Sequence, residues 1–132
     1  MESHYKTLRE LAIQAAEEAY SPYSKCAVGS ALITDKGQVY AGCNIENASY
    51  GASVCAERVA IWKALSCDKT AKIKVIYIYT KAGWPPCGMC RQVMMEFASD
   101  GMEVVFGGDD APETRTRLDE LMPCGFSGSH LE

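Results

Sequence analysis

The run Ile73-Lys74-Val75-Ile76-Tyr77-Ile78-Tyr79 is β-favouring almost without interruption. A strand apolar on both faces must be covered on both, which places it inside a sheet with helices above and below. The segments around it supply those layers. Leu8, Leu11, Ala12, Ala15, Ala16 and Ala19 recur on one face of a predicted helix that Ser21-Pro22 ends. Strands over 27–33 and 38–43 flank Thr34-Asp35-Lys36-Gly37, a turn suited to a hairpin. A second helix is expected from Cys55 to Leu65, with Val59, Ala60 and Ala64 inward, and a third from Cys87 to Phe97. A strand over 103–106 and a short helix over 114–122 complete the order αββαβαβα. That order packs as an α/β fold, a three-layer α/β/α sandwich with a mixed sheet.

At 132 residues the chain has the size of one domain, and residues 1–132 are read as such. No stretch approaches the roughly eighteen or more apolar residues of a membrane span. A net charge of −4 without a basic cluster argues against a large nucleic-acid footprint. The opening Met1-Glu2-Ser3-His4-Tyr5-Lys6 lacks a signal-peptide core, so a cytoplasmic location is expected. Seven cysteines in such a chain favour metal binding or catalysis over a disulfide framework. The two histidines, His4 and His130, lie near the two ends, which pushes acid–base work toward carboxylates.

Pro86-Cys87-Gly88-Met89-Cys90 follows the buried strand and opens a predicted helix. Residues i and i+3 share a helix face, so the two thiolates can hold one metal, stabilised by the positive end of the helix. The same arrangement also presents a redox dithiol, and the motif alone leaves both readings open. Cys55-Ala56-Glu57 shifts the balance. It adds a third thiolate and a carboxylate two residues on, at a helix start, where side chains can aim along the axis and converge. Three protein ligands leave one zinc position for water, and a carboxylate beside that water can move its proton. Arg58 follows, and a guanidinium on ligand sulfurs would offset the net negative charge of three thiolates on zinc; its structural alternative is a surface ion pair.

These residues resemble the zinc-dependent cytidine deaminases, in particular their small homotetrameric form. The resemblance runs through Tyr20-Ser21-Pro22-Tyr23-Ser24-Lys25, Val28-Gly29, the loop from Gly42 to Gly51, Cys55-Ala56-Glu57-Arg58, the segment Pro86 to Gln92, and the tail from Leu121 to Phe126. It implies hydrolytic deamination of cytidine and deoxycytidine at C4 with Zn2+ as cofactor and release of ammonia. By resemblance, Cys55, Cys87 and Cys90 ligate zinc, Glu57 shuttles protons, and Arg58 donates to ligand sulfurs. Asn44 and Glu46 match contacts to the ribose 3′-hydroxyl, and the Ala56 backbone a contact to the base. Tyr50 and Phe126 match residues placed near the active site across a subunit interface, which implies a homotetramer.

The chain departs from the family at two points. Cys26-Ala27 stands where Phe-Pro is usual, so a thiol replaces the ring that packs on the pyrimidine, and Pro85 replaces a Ser whose carbonyl is used. Neither change touches zinc or proton transfer. Three alternatives follow from the residues: a deaminase of another aminated ring or nucleoside analogue, such as a blasticidin-type substrate; a structural zinc module drawing a fourth ligand from Cys43, Cys67, Cys124 or His130; and a metal-free dithiol protein.

Overall fold

The computed structural model describes residues 2–131. Its centre is a five-stranded mixed sheet in the order β2-β1-β3-β4-β5, built from β1 (Val28–Thr34), β2 (Val39–Cys43), β3 (Ile73–Thr80), β4 (Ala98–Gly107) and β5 (Thr114–Arg117). The first two strands form the expected antiparallel hairpin, with Gly37 supplying the positive φ of 81° that the turn needs. β3 lies antiparallel to β1 and parallel to β4. The apolar run at 73–79 is thus the central strand. Its Ile73, Ile76 and Ile78 face one core, while Val75 and Tyr77 face the other.

The second of these cores is closed by α1 (Glu2–Ala16), through Tyr5, Leu8 and Ala12. The first is closed by α2 (Ala56–Cys67), α3 (Gly88–Glu96) and α4 (Leu118–Leu121), through Ala60, Ile61, Ala64, Met94 and Leu118. Helices therefore cover both faces of the sheet, as the sequence predicts.

Two local expectations are corrected. The first helix ends at Ala16, not beyond Ala19, because residues 17–19 close onto carbonyls three residues back and Tyr20 N–H donates to Asn44 O at 3.0 Å. Residues 114–117 are not helical. They form β5, whose antiparallel pairing covers the outer edge of β4, and helix begins only at Leu118.

The approach of α1 to the sheet is set by Gly29. A Cβ there would lie 1.7 Å from the Ala12 carbonyl oxygen. Both groups are backbone, so neither can rotate away. Gly29→Ala is expected to destabilise the chain by more than the usual 1–3 kcal/mol of an overpacked site, about 3 kcal/mol or beyond. A urea-unfolding midpoint unchanged from wild type would show that α1 can lift off the sheet at little cost.

Candidate active site

Two helix starts aim at one point. Cys55 is the N-cap of α2 and Cys87 the N-cap of α3, both with extended backbone and neither using its side chain to cap its helix. Their sulfurs are therefore free for other work, in the positive field of two helix N-termini. Cys90, one turn into α3, is fully buried. The ligand atoms of Cys55, Cys87 and Cys90 all lie within 4.8 Å of one another. Among the described residues no fourth His, Cys, Asp or Glu joins them, and Cys43, Cys67, Cys124 and His130 lie outside the group. A structural zinc module with a closed ligand set has no support in this arrangement.

The sulfurs fit a zinc ion. Cys55 Sγ and Cys87 Sγ are 3.9 Å apart, and tetrahedral bonds of about 2.3 Å separate two ligand sulfurs by roughly 3.8 Å. Arg58 Nη2 donates to Cys55 Sγ at 3.4 Å, and the guanidinium stands 5.8 Å from the Trp62 ring centre. The Cys55 thiol is held down at about 5, first by hydrogen bonding from Cys90 and then by Arg58, against the opposing effect of burial. Cys90 is pushed up, because it donates to Cys55 and is buried.

Glu57 sits two residues beyond the N-cap of α2 and is only 4% exposed. It lines the same cavity as Cys55 and Cys87. Burial pushes its carboxyl up to about 7, with the Cys55 thiolate adding to the rise, while its own backbone amide and Arg58 oppose it. A carboxyl in that range exchanges protons readily at neutral pH. Ala56 is fully buried between these two cavity-lining neighbours.

The cavity has a volume of about 480 Å3, within the usual range for a small-molecule site. Asn44, Glu46, Tyr50 and Cys26 are on its wall. Asn44 and Glu46 also hold the local chain. Asn44 Oδ1 accepts from Val28 N–H at 2.9 Å and its Nδ2 donates to Cys26 O at 2.9 Å. Glu46 accepts from the amides of Tyr23 and Ser24 at 3.0 and 3.1 Å and from the Ser24 hydroxyl. Hydrogen bonding from Ser24 keeps the Glu46 carboxyl below the usual carboxylate range. Both residues are thus fixed in orientation before any ligand arrives, and each keeps spare hydrogen-bonding capacity.

Tyr50 is 76% exposed at the cavity mouth, edge-on to Tyr23 with ring centres 5.9 Å apart. Phe126 is not on this wall. It is 55% exposed, stacked on His130, with its carbonyl accepting from Gln92 Nε2 at 2.9 Å. Trp84 also lines the cavity, a position that the sequence signals only as an aromatic directly before Pro85-Pro86-Cys87. Arg91 anchors the same loop, donating from Nε to Pro86 O at 2.8 Å and from Nη1 to Leu121 O at 3.2 Å.

Three thiols placed to hold one metal ion, with no fourth donor among the described residues and a buried carboxyl two positions from one of them, are the marks of a metal-assisted hydrolytic centre. Residues 2–107 match the cytidine and deoxycytidylate deaminase zinc-binding region, and the chain belongs to that family. It is 42% identical over 121 residues to the cytidine deaminase of Halalkalibacterium halodurans, covering 91% of this chain and 92% of that one. With the cytidine deaminase of Sporosarcina psychrophila the identity is 41% over 120 residues, covering 89% and 88%. The crystal structure of cytidine deaminase from Burkholderia pseudomallei shares the fold with a TM-score of 0.85 at 40% identity, covering 92% of this chain and 98% of that one. Zinc is the metal on which the family and the donor set of this site agree.

Proposed function

We propose that this chain hydrolytically deaminates cytidine and deoxycytidine to uridine and deoxyuridine, releasing ammonia. The observation that carries this reading is the convergence of three thiols from two helix starts, two of them on the wall of a cavity that the buried Glu57 also lines. Cys55, Cys87 and Cys90 would hold the zinc, which supplies, when bound, a Lewis acid that makes water acidic enough to act as a nucleophile at neutral pH. Glu57 takes one proton from water and delivers it to N3 of the ring, then takes the second from the hydroxyl added at C4 and delivers it to the departing amine. Asn44 and Glu46 position the sugar hydroxyl, and the Ala56 backbone orients the base. The test is ammonia release from a panel of nucleosides and free bases. Cytidine and deoxycytidine are expected to react at least about 100-fold faster than free cytosine, the margin expected when a built hydroxyl site is left unfilled. A panel without ammonia release from either cytosine nucleoside overturns the reading.

Arg58 offsets the surplus negative charge of three thiolates, a load that otherwise makes deprotonation of water in the site harder. Arg58→Ala is therefore expected to move the rising limb of the pH–rate profile to higher pH and to weaken zinc retention by about 10–100-fold. The far-ultraviolet circular dichroism spectrum should stay native. An unchanged profile and unchanged zinc affinity would reduce Arg58 to a surface cation stacked on Trp62.

The same reading takes residues 1–132 as one catalytic domain, because the sheet that carries the site continues to β5 at 114–117. It takes the assembly as a homotetramer, supported by the outward-facing Tyr50 and Phe126. Phe126, exposed and off the cavity of its own chain, is free to meet a neighbour's. No helix among the described residues is long and apolar enough to cross a membrane. A three-thiol site needs reduced cysteines, so this reading places the chain in the reducing cytoplasm.

A further inference from the structure

Two cavities share part of their lining. The site cavity adjoins a second cavity of about 320 Å3, and Cys26, Thr80 and Trp84 line both. The antiparallel pairing of Val28 with Thr80 brings them together, since it sets the residues just before β1 beside those just after β3. Cys26 is pinned there by the bond from Asn44 Nδ2 to its carbonyl. Trp84 is anchored through its main chain, its backbone N–H donating to Oγ1 of the buried Thr80 at 2.7 Å. Its loop turns at Gly83 with φ 77° and packs on Gly108, where a Cβ would lie 2.0 Å from Thr80 O and 2.6 Å from Lys81 O. A small thiol therefore stands where a bulky side chain would separate the two spaces. The half-exposed indole of Trp84 lines both spaces.

On a cytosine nucleoside, N1 carries the sugar and C4 must stay open to reaction with N3 beside it. C6 crowds the sugar. C5 is the ring position left for a substituent. Resting on the deaminase reading above, we infer that this site accepts cytosine nucleosides enlarged at C5 by an aromatic or apolar group, which passes Cys26 into the second cavity and packs against Trp84. The reaction is unchanged: water adds at C4 and ammonia leaves.

The test measures kcat/KM for cytidine and 5-phenylcytidine in wild type, Cys26→Phe and Trp84→Ala. Wild type is expected to keep the two substrates within about tenfold of each other. Cys26→Phe should raise the preference for cytidine about tenfold or more by closing the passage. Trp84→Ala should raise it about two- to tenfold through KM, the worth of one aromatic contact. Binding is read separately in Glu57→Gln/Trp62→Phe, where Trp84 is the sole remaining tryptophan. Its emission should shift to the blue with 5-phenylcytidine and less with cytidine. Normal cytidine turnover with rejection of 5-phenylcytidine by about 100-fold or more, and no added shift, overturns the inference alone. Absence of cytidine turnover overturns the deaminase reading, and the inference falls with it. If Cys26→Phe fails to fold, the Trp84→Ala ratio and the emission shift still decide.

Discussion

Glu57→Gln is expected to lower kcat for cytidine by on the order of 10²–10⁴-fold or more while leaving zinc content and fold intact. The amide has the size of the carboxyl and keeps hydrogen-bonding capacity, but it cannot accept and return a proton. Glu57 is buried at the first turn of α2, on the wall of the cavity that Cys55 and Cys87 share. Losing the charge there also removes the cost of burying it, so the variant should be at least as stable to urea as the wild type. Near-normal turnover by a zinc-loaded Gln variant would remove Glu57 from proton transfer.

The second large effect is expected at the ligands, and the three differ in a way that burial dictates. Cys87→Ala should empty the site of zinc and abolish turnover with little change in stability, since Cys87 is exposed. Zinc-binding free energies of about 10–16 kcal/mol shared among three thiolates leave roughly 3–5 kcal/mol for each, so one lost thiolate costs on the order of 10²–10⁴-fold in affinity. Cys90→Ala should lose zinc to the same extent and also lower the unfolding midpoint. Its sulfur is fully buried in the core with Met94 and Ile78, where a removed atom leaves a void. Metal analysis paired with urea unfolding separates the two cases. Equal midpoints for both variants would contradict the burial argument, and retained zinc in either would contradict the ligand assignment.

Most of what positions the site can be read directly along the chain. The apolar run at 73–79 is local information, and so are Cys55 and Cys87 standing where helices begin. What depends on pairing between distant segments is harder to read. Thr114-Arg115-Thr116-Arg117 has no apolar residue to mark a buried face, and it becomes a strand only because Glu103 to Phe106 offers an edge. The early start of β4 at Ala98 is hidden in the same way. Ile73 pairs with Ala98 but Val75 with Glu103, so the residues around Gly101 bulge from the ladder. Asn44 and Glu46 look like turn chemistry in the sequence, and the structure gives them that work while also setting them on the cavity wall. Trp84 reaches the cavity through the β1–β3 register, which no local pattern announces.

In the proposed function, three thiolates and one buried carboxyl make this chain a zinc-dependent deaminase of cytosine nucleosides. Counting zinc and assaying ammonia release from cytidine in the same sample tests it most directly, with the metal removed stepwise by chelation and then restored. About one zinc per chain is expected when fully loaded, with turnover falling in proportion to the zinc removed, one ammonia and one uridine per cytidine consumed, and recovery on adding zinc back. Full activity without metal would contradict it, as would one zinc per chain with no ammonia from cytidine.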